Sequence, residues 1–232
     1  MNVDLRVAQL LCSRICHDLL SPAAGVNAGV EILAEGGQAG KEAVGLIAKS
    51  ADQVSRRLAF FRVAFGLGSG AEEVLGGFAE ARNLSRDLLD GSNVTLTWAD
   101  HAAVPSLGNA PPAAPKLLLN MVLIGAGALL RGGTLAVNFA ELPEGLGVAL
   151  QANGKGARLR DDVLQALTRD VAFEELSAHN VHARLARLLA ESMGATLELP
   201  EAGQDEVCLA VLVPGVAVEP RSAQTPRRTL SR

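Results

Sequence analysis

The chain has 232 residues, of which 21 are basic and 25 acidic, so its formal net charge is −4. Hydrophobic residues make up 49% and aromatic residues 3%, with one Trp and no Tyr. This excludes disorder as the main state and argues against both a phosphate-backbone binder and an aromatic platform for single-stranded nucleic acid. A core must therefore be filled with Ala, Leu and Val. Cys12, Cys16 and Cys208 show no CxxC spacing, so neither a disulfide framework nor a zinc site is expected. Cys12 and Cys16, four residues apart, are expected as small buried side chains on one helical face. The first ten residues lack the apolar run of a leader peptide, and the most apolar stretch, 117–130, is too short to span a bilayer. A soluble, cytoplasmic protein is expected.

Across residues 5–33 apolar side chains recur at Leu5, Ala8, Cys12, Ile15, Leu19, Pro22, Val26, Val30 and Leu33, a four-three spacing that predicts one long helix with a packing seam. Pro22 lies inside it and should kink the helix or cost a backbone bond. Glycines at 36, 37 and 40 end it. A second helix is expected over 41–65, with Val44, Ile47, Ala51, Val54, Leu58, Phe61 and Phe65 on one stripe. Two such helices make an antiparallel hairpin whose seam needs a partner. A second copy of the chain supplies it most simply, as a two-fold four-helix bundle.

The glycine-rich stretch 66–70 marks a domain boundary. Beyond it the pattern alternates: helix 78–89, strand 94–98, helix 113–130, strands 134–140 and 147–151 leading into a turn at 153–156, helices 160–167 and 181–193, then a closing hairpin of 196–199 with 207–213. The expected class is α+β: a helical hairpin over residues 1–66, an α/β sandwich over 72–214, and a disordered basic tail over 215–232.

The centre of the first helix reads Cys16-His17-Asp18-Leu19-Leu20-Ser21-Pro22. With Cys12, Ile15 and Leu19 on the seam, His17 falls opposite it and faces solvent. A neutral imidazole nitrogen is a good nucleophile near neutral pH, and exposure lets a phosphoryl donor and acceptor reach the same atom in line. Asp18 is placed to hydrogen-bond the ring and fix its tautomer. Arg14 at i−3 and Ser21 at i+4 share the face of His17, where they can steady phosphate charge. Continuing along that face, Leu20, Ala24, Asn27 and Ala28 outline a shallow patch for a docking partner, with Leu20 as its apolar anchor.

His17, Asp18, Ser21 and Pro22 resemble the phosphoacceptor motif His-(Asp/Glu)-x-x-(Ser/Thr)-Pro of two-component histidine kinases. The second half resembles the ATP-binding domain of those kinases: Lys116 to Asn120 looks like the start of the asparagine-box helix, 148–156 like the first glycine box, and 181–199 like the last helix and strand. The nucleotide residues of that pattern are missing. Ile124 stands where an Mg²⁺-binding Asn belongs, and Ala152 where an adenine-reading Asp belongs. Ser177-Ala-His-Asn-Val-His182 replaces the Gly-x-Gly phosphate loop.

A kinase-like hairpin with a degenerate ATP domain resembles the ChpT-like histidine phosphotransferases over roughly residues 5–214. The resemblance implies a homodimer that relays phosphoryl from the receiver domain of a hybrid histidine kinase, through His17, to the receiver aspartate of response regulators. It implies phosphotransfer without ATP-dependent kinase activity, no cofactor or metal of its own, and Mg²⁺ only on the partner receiver. No nucleic-acid or membrane partner is expected. His179 and His182, at i, i+3, lack a third metal ligand. The competing readings are an active sensor kinase with an unorthodox ATP site, which ATP-analogue binding tests, and a non-catalytic dimeric scaffold, which phosphorylation of His17 tests.

Overall fold

A computed structural model describes residues 5–35, 40–66, 77–100 and 104–215. The expected boundary at 66–70 lies outside the described residues beyond Gly66, and the expected tail lies outside them beyond Gly215. Helices α1 (Leu5–Ala34) and α2 (Gly40–Phe65) form the expected hairpin. Their close approach depends on two small residues one turn apart. A Cβ at Gly25 would lie 2.4 Å from the Ser50 hydroxyl oxygen, and one at Gly29 would lie 2.5 Å from the Ile47 side chain.

The side of α1 that packs within the chain is not the expected seam. Val7, Leu11, Pro22 and Gly29 are buried, whereas Leu5, Ala8, Cys12, Val30 and Leu33 remain exposed. Val44, Ala51 and Leu58 on α2 are exposed as well. Cys12 and Cys16, expected as buried, are both exposed. The physical reason is a rotation: α1 turns Val7, Leu11 and Gly29 toward the rest of its own chain, so that of the four-three row Pro22 is buried, Ile15, Leu19 and Val26 are half-buried, and the others lie outside. An apolar groove of about 600 Å³ opens there, between Cys12, Ile15, Leu58, Phe61, Leu185 and Leu189.

The rest of the chain builds an α/β layer. It runs through α3 (Gly77–Leu89), β1 (Val94–Trp98), a 3-10 turn (Pro105–Asn109), α4 (Ala113–Ala128), β2 (Gly133–Leu142) and β3 (Gly145–Asn153). It continues with α5 (Asp161–Thr168), a second 3-10 turn (Phe173–Glu175), α6 (Val181–Ser192), β4 (Leu197–Glu198) and β5 (Glu206–Pro214). The sheet order is β1-β2-β3-β5-β4, with β1 and β2 parallel and the other pairs antiparallel. Alternation along the strands sends Leu135, Val137, Val148, Leu150, Leu209 and Val211 into the core. The α4 helix covers that face and is apolar nearly all round, as expected of a helix enclosed between a sheet and other helices.

Two side chains of α4 reach back to the end of α2. The Asn120 amide donates to the carbonyls of Ala64 (3.0 Å) and Lys116 (2.9 Å), and the Lys116 ammonium donates to the carbonyl of Gly66 (2.6 Å). Partial burial lowers the pKa of Lys116. No helix among the described residues is long and apolar enough to cross a membrane.

Candidate functional site

Pro22 organises the centre of α1 by what it lacks. Without an N–H it leaves the Asp18 carbonyl, four residues earlier, with no helical donor. The Arg57 guanidinium of α2 donates to that carbonyl instead, so α1 runs as one helix through the proline. The orphan acceptor is legible in the sequence; that Arg57 serves it is not.

His17 projects from this turn with its side chain 64% exposed. Its Nδ1 lies 3.2 Å from Asp18 Oδ1. A carboxylate oxygen can only accept, so in the neutral imidazole Nδ1 carries the proton and the lone pair is on Nε2. The second oxygen of Asp18 accepts from Arg14 Nε at 3.0 Å. Arg14 is thus turned toward the second domain rather than standing open above His17. Its Nη1 also meets the carbonyls of Ala178 and His179, both at 3.4 Å, and His182 Nδ1 at 3.0 Å.

Arginine has only donors, so His182 Nδ1 accepts and its proton sits on Nε2. Burial is the main cause that pushes the pKa of His182 down to about 3, with the charge of Arg14 and neighbouring His179 adding to it. His182 is therefore a fixed neutral acceptor that helps seat α6 on α1. His179, one turn before it, is exposed, and its ring meets that of His17 edge to face at 5.5 Å and 81°. Sequence spacing gave no sign of this contact, because 162 residues separate the two histidines.

Ser21 is exposed on the same face as His17. Toward the hairpin loop Leu20 is 67% exposed, Ala24 and Asn27 are exposed, and Ala28 is half-buried. Together they leave an open shallow surface beside the imidazole.

The positions that depart from the kinase pattern are packed shut. Ile124 and Ala152 lie in the core, and the Asn120 amide nitrogen is engaged with two carbonyls. At the turn after β3, the N–H groups of Gly154 and Gly156 donate to the backbone and side-chain oxygens of Asp205. The N–H groups of this glycine turn are thus already satisfied within the chain.

A family described as "Histidine phosphotransferase C-terminal domain" matches residues 78–205. The chain is 35% identical over 203 residues to protein phosphotransferase ChpT of Brucella abortus (strain 2308), covering 88% of this chain and 94% of the relative. A solved bacterial phosphotransferase superposes with a TM-score of 0.75 at 32% identity, covering 91% of this chain and 98% of that one. The chain belongs to the ChpT-like histidine phosphotransferase family. In this phosphotransferase the expected architecture, a helical hairpin followed by an α/β sandwich, is the one observed, and the alternatives of an active kinase or an inert scaffold are not favoured.

Proposed function

We propose that the protein relays phosphoryl groups through His17 between receiver domains of a bacterial phosphorelay. One observation carries this reading: an exposed imidazole whose Nδ1 is held by Asp18, leaving Nε2 free. The Nε2 lone pair attacks the phosphorus of a receiver's aspartyl phosphate. A P–N bond forms as the acyl P–O bond breaks, and the carboxylate stays with the donor. The Nδ1 proton remains on the ring beside Asp18, which makes the imidazole a better leaving group when a second receiver's aspartate takes the phosphoryl. Arg14 acts here by holding Asp18, and Ser21 borders the incoming phosphoryl group. The Mg²⁺ that the transfer uses sits on the receiver; the phosphotransferase needs no ATP, because Ile124 offers no ligand and Ala152 no hydrogen-bond acceptor.

The protein works as a cytoplasmic homodimer. Its bare row of Leu5, Cys12, Val30, Leu33, Val44 and Leu58 is long enough for the seam of a four-helix bundle. The receiver docks on Leu20, Ala24, Asn27 and Ala28, next to the reacting nitrogen. The deciding experiment mixes the protein with a phosphorylated receiver domain and follows the label. Wild type takes up acid-labile, base-stable phosphate, and His17→Ala takes up none while folding normally, since an exposed side chain contributes little to stability. Undiminished labelling of His17→Ala overturns the proposal.

A further inference from the structure

The loop that stands where a kinase grips its nucleotide phosphates is built as a rigid support facing α1. Asn180, buried at the start of α6, accepts from the Ser177 N–H at 2.8 Å and donates to the Glu175 carbonyl at 3.2 Å. The Ser177 hydroxyl accepts from the His179 N–H at 3.2 Å. Arg14 then ties the loop to the phosphoacceptor helix through the carbonyls of Ala178 and His179 and through the buried His182 ring. The outcome of all these bonds is one exposed imidazole, His179, set against the ring of His17. An exposed ring buries little apolar surface, so stability alone gives no reason for so much support beneath it.

We propose that His179 is a positioning residue for phosphoryl transfer: its ring contact holds the His17 imidazole in the plane that presents Nε2 to the receiver. The χ2 torsion of histidine is soft, and a single hydrogen bond to Asp18 at Nδ1 fixes one point of the ring but not its swing about that point. The edge-to-face contact with His179 supplies the second point, and rotation is then blocked. The degenerate domain thereby serves the chemistry of the hairpin without touching nucleotide. This inference rests on His17 being the phosphoacceptor.

The test measures single-turnover transfer from a phosphorylated receiver domain as a function of receiver concentration, in wild type, His179→Ala and His179→Phe. The His17 ring nitrogens are followed in parallel by long-range proton–nitrogen NMR. His179→Ala should lower the maximal rate about threefold to tenfold, the range expected for one aromatic pair, with the half-saturating receiver concentration and melting temperature unchanged. The His17 nitrogen shifts should move toward those of a freely exchanging imidazole. His179→Phe, which keeps a ring but no nitrogen, should restore most of the rate. An unchanged maximal rate, a change confined to half-saturation, or a Phe variant as slow as Ala overturns the proposal. These failures are separable from failure of the relay reading, because the latter appears as labelling of His17→Ala.

Discussion

The two long apolar helices of this protein spend their side chains differently. Of the 30 residues of α1 four are buried, whereas twelve of the 16 in α4 are. The α4 helix lies between the sheet and its neighbouring helices and is finished within one chain. The α1 helix keeps Leu5, Val30 and Leu33 at the surface and carries His17 on its other side. The difference separates two tasks. A helix that specifies a core is closed on all sides, whereas α1 stays open on two: the side of Leu5, Val30 and Leu33 and the side of His17.

Substitutions should divide along the same line. The largest loss is expected from Ile124→Ala, which opens a cavity beneath the sheet and should cost about 2–5 kcal/mol in urea unfolding. Trp98, the only tryptophan, packs 5.8 Å from Phe139 and reports that transition by fluorescence. An equally apolar site on the open helix and outside the seam, Leu20→Ala, should leave the curve nearly unmoved. Next, Leu58→Asp places a charge in the bare seam of each copy. Sedimentation should show the dimer dissociation constant raised about hundredfold, roughly 3 kcal/mol, with the Trp98 transition little changed. A wild-type protein that sediments as a monomer at micromolar concentration would remove the two-fold half of the comparison.

On the receiver side, Ala24→Arg and Leu20→Asp should each slow phosphoryl transfer at least tenfold, about 1.4 kcal/mol, without dissociating the dimer. Wild-type rates in both would move the docking surface elsewhere. A further expectation concerns acid. His182 binds a proton near 6.5 when unfolded but only near 3 when folded. Between those values the unfolded state holds more protons, so stability rises with pH through the window and is lost on acidification from 6.5 toward 3. The slope is at most about 1.4 kcal/mol per pH unit. Arg14 and His179 face the same ring. A His182→Gln variant, melted at pH 7 and at pH 4, should lose less stability between the two than wild type does.

Much of this fold is legible in the sequence because periodicity is a local property. The limits of α1, the strand at 94–98 and the closing pair near 197 and 211 follow from spacing and β-branched content. What spacing does not encode is which of two apolar rows on one helix faces its own chain. Val7, Leu11 and Gly29 face the chain's own core, while much of the expected seam stays open, and Cys12 and Cys16 are exposed where burial was expected. Gly25 and Gly29 carried the missing signal, since glycines one turn apart mark the face where another backbone comes close. At the site, the exposure of His17 and its neighbour Asp18 were readable from the helix itself. Arg57, His179 and His182 were not, because each arrives from a distant part of the chain. The buried Asn120 was a partial clue: an amide in the middle of an apolar helix must find an acceptor somewhere.

That acceptor is the Ala64 carbonyl, and together with Lys116 on Gly66 it gives α2 a borrowed ending. Every helix finishes with carbonyls that its own backbone cannot serve. Here the missing donors are side chains of α4. A hairpin excised after Gly66 would carry the His17 motif intact yet end in a fraying last turn. Amide hydrogens there should exchange faster in the fragment than in the whole chain. Whoever dissects this protein should cut to keep α4, because the hairpin's last turn is completed some fifty residues downstream.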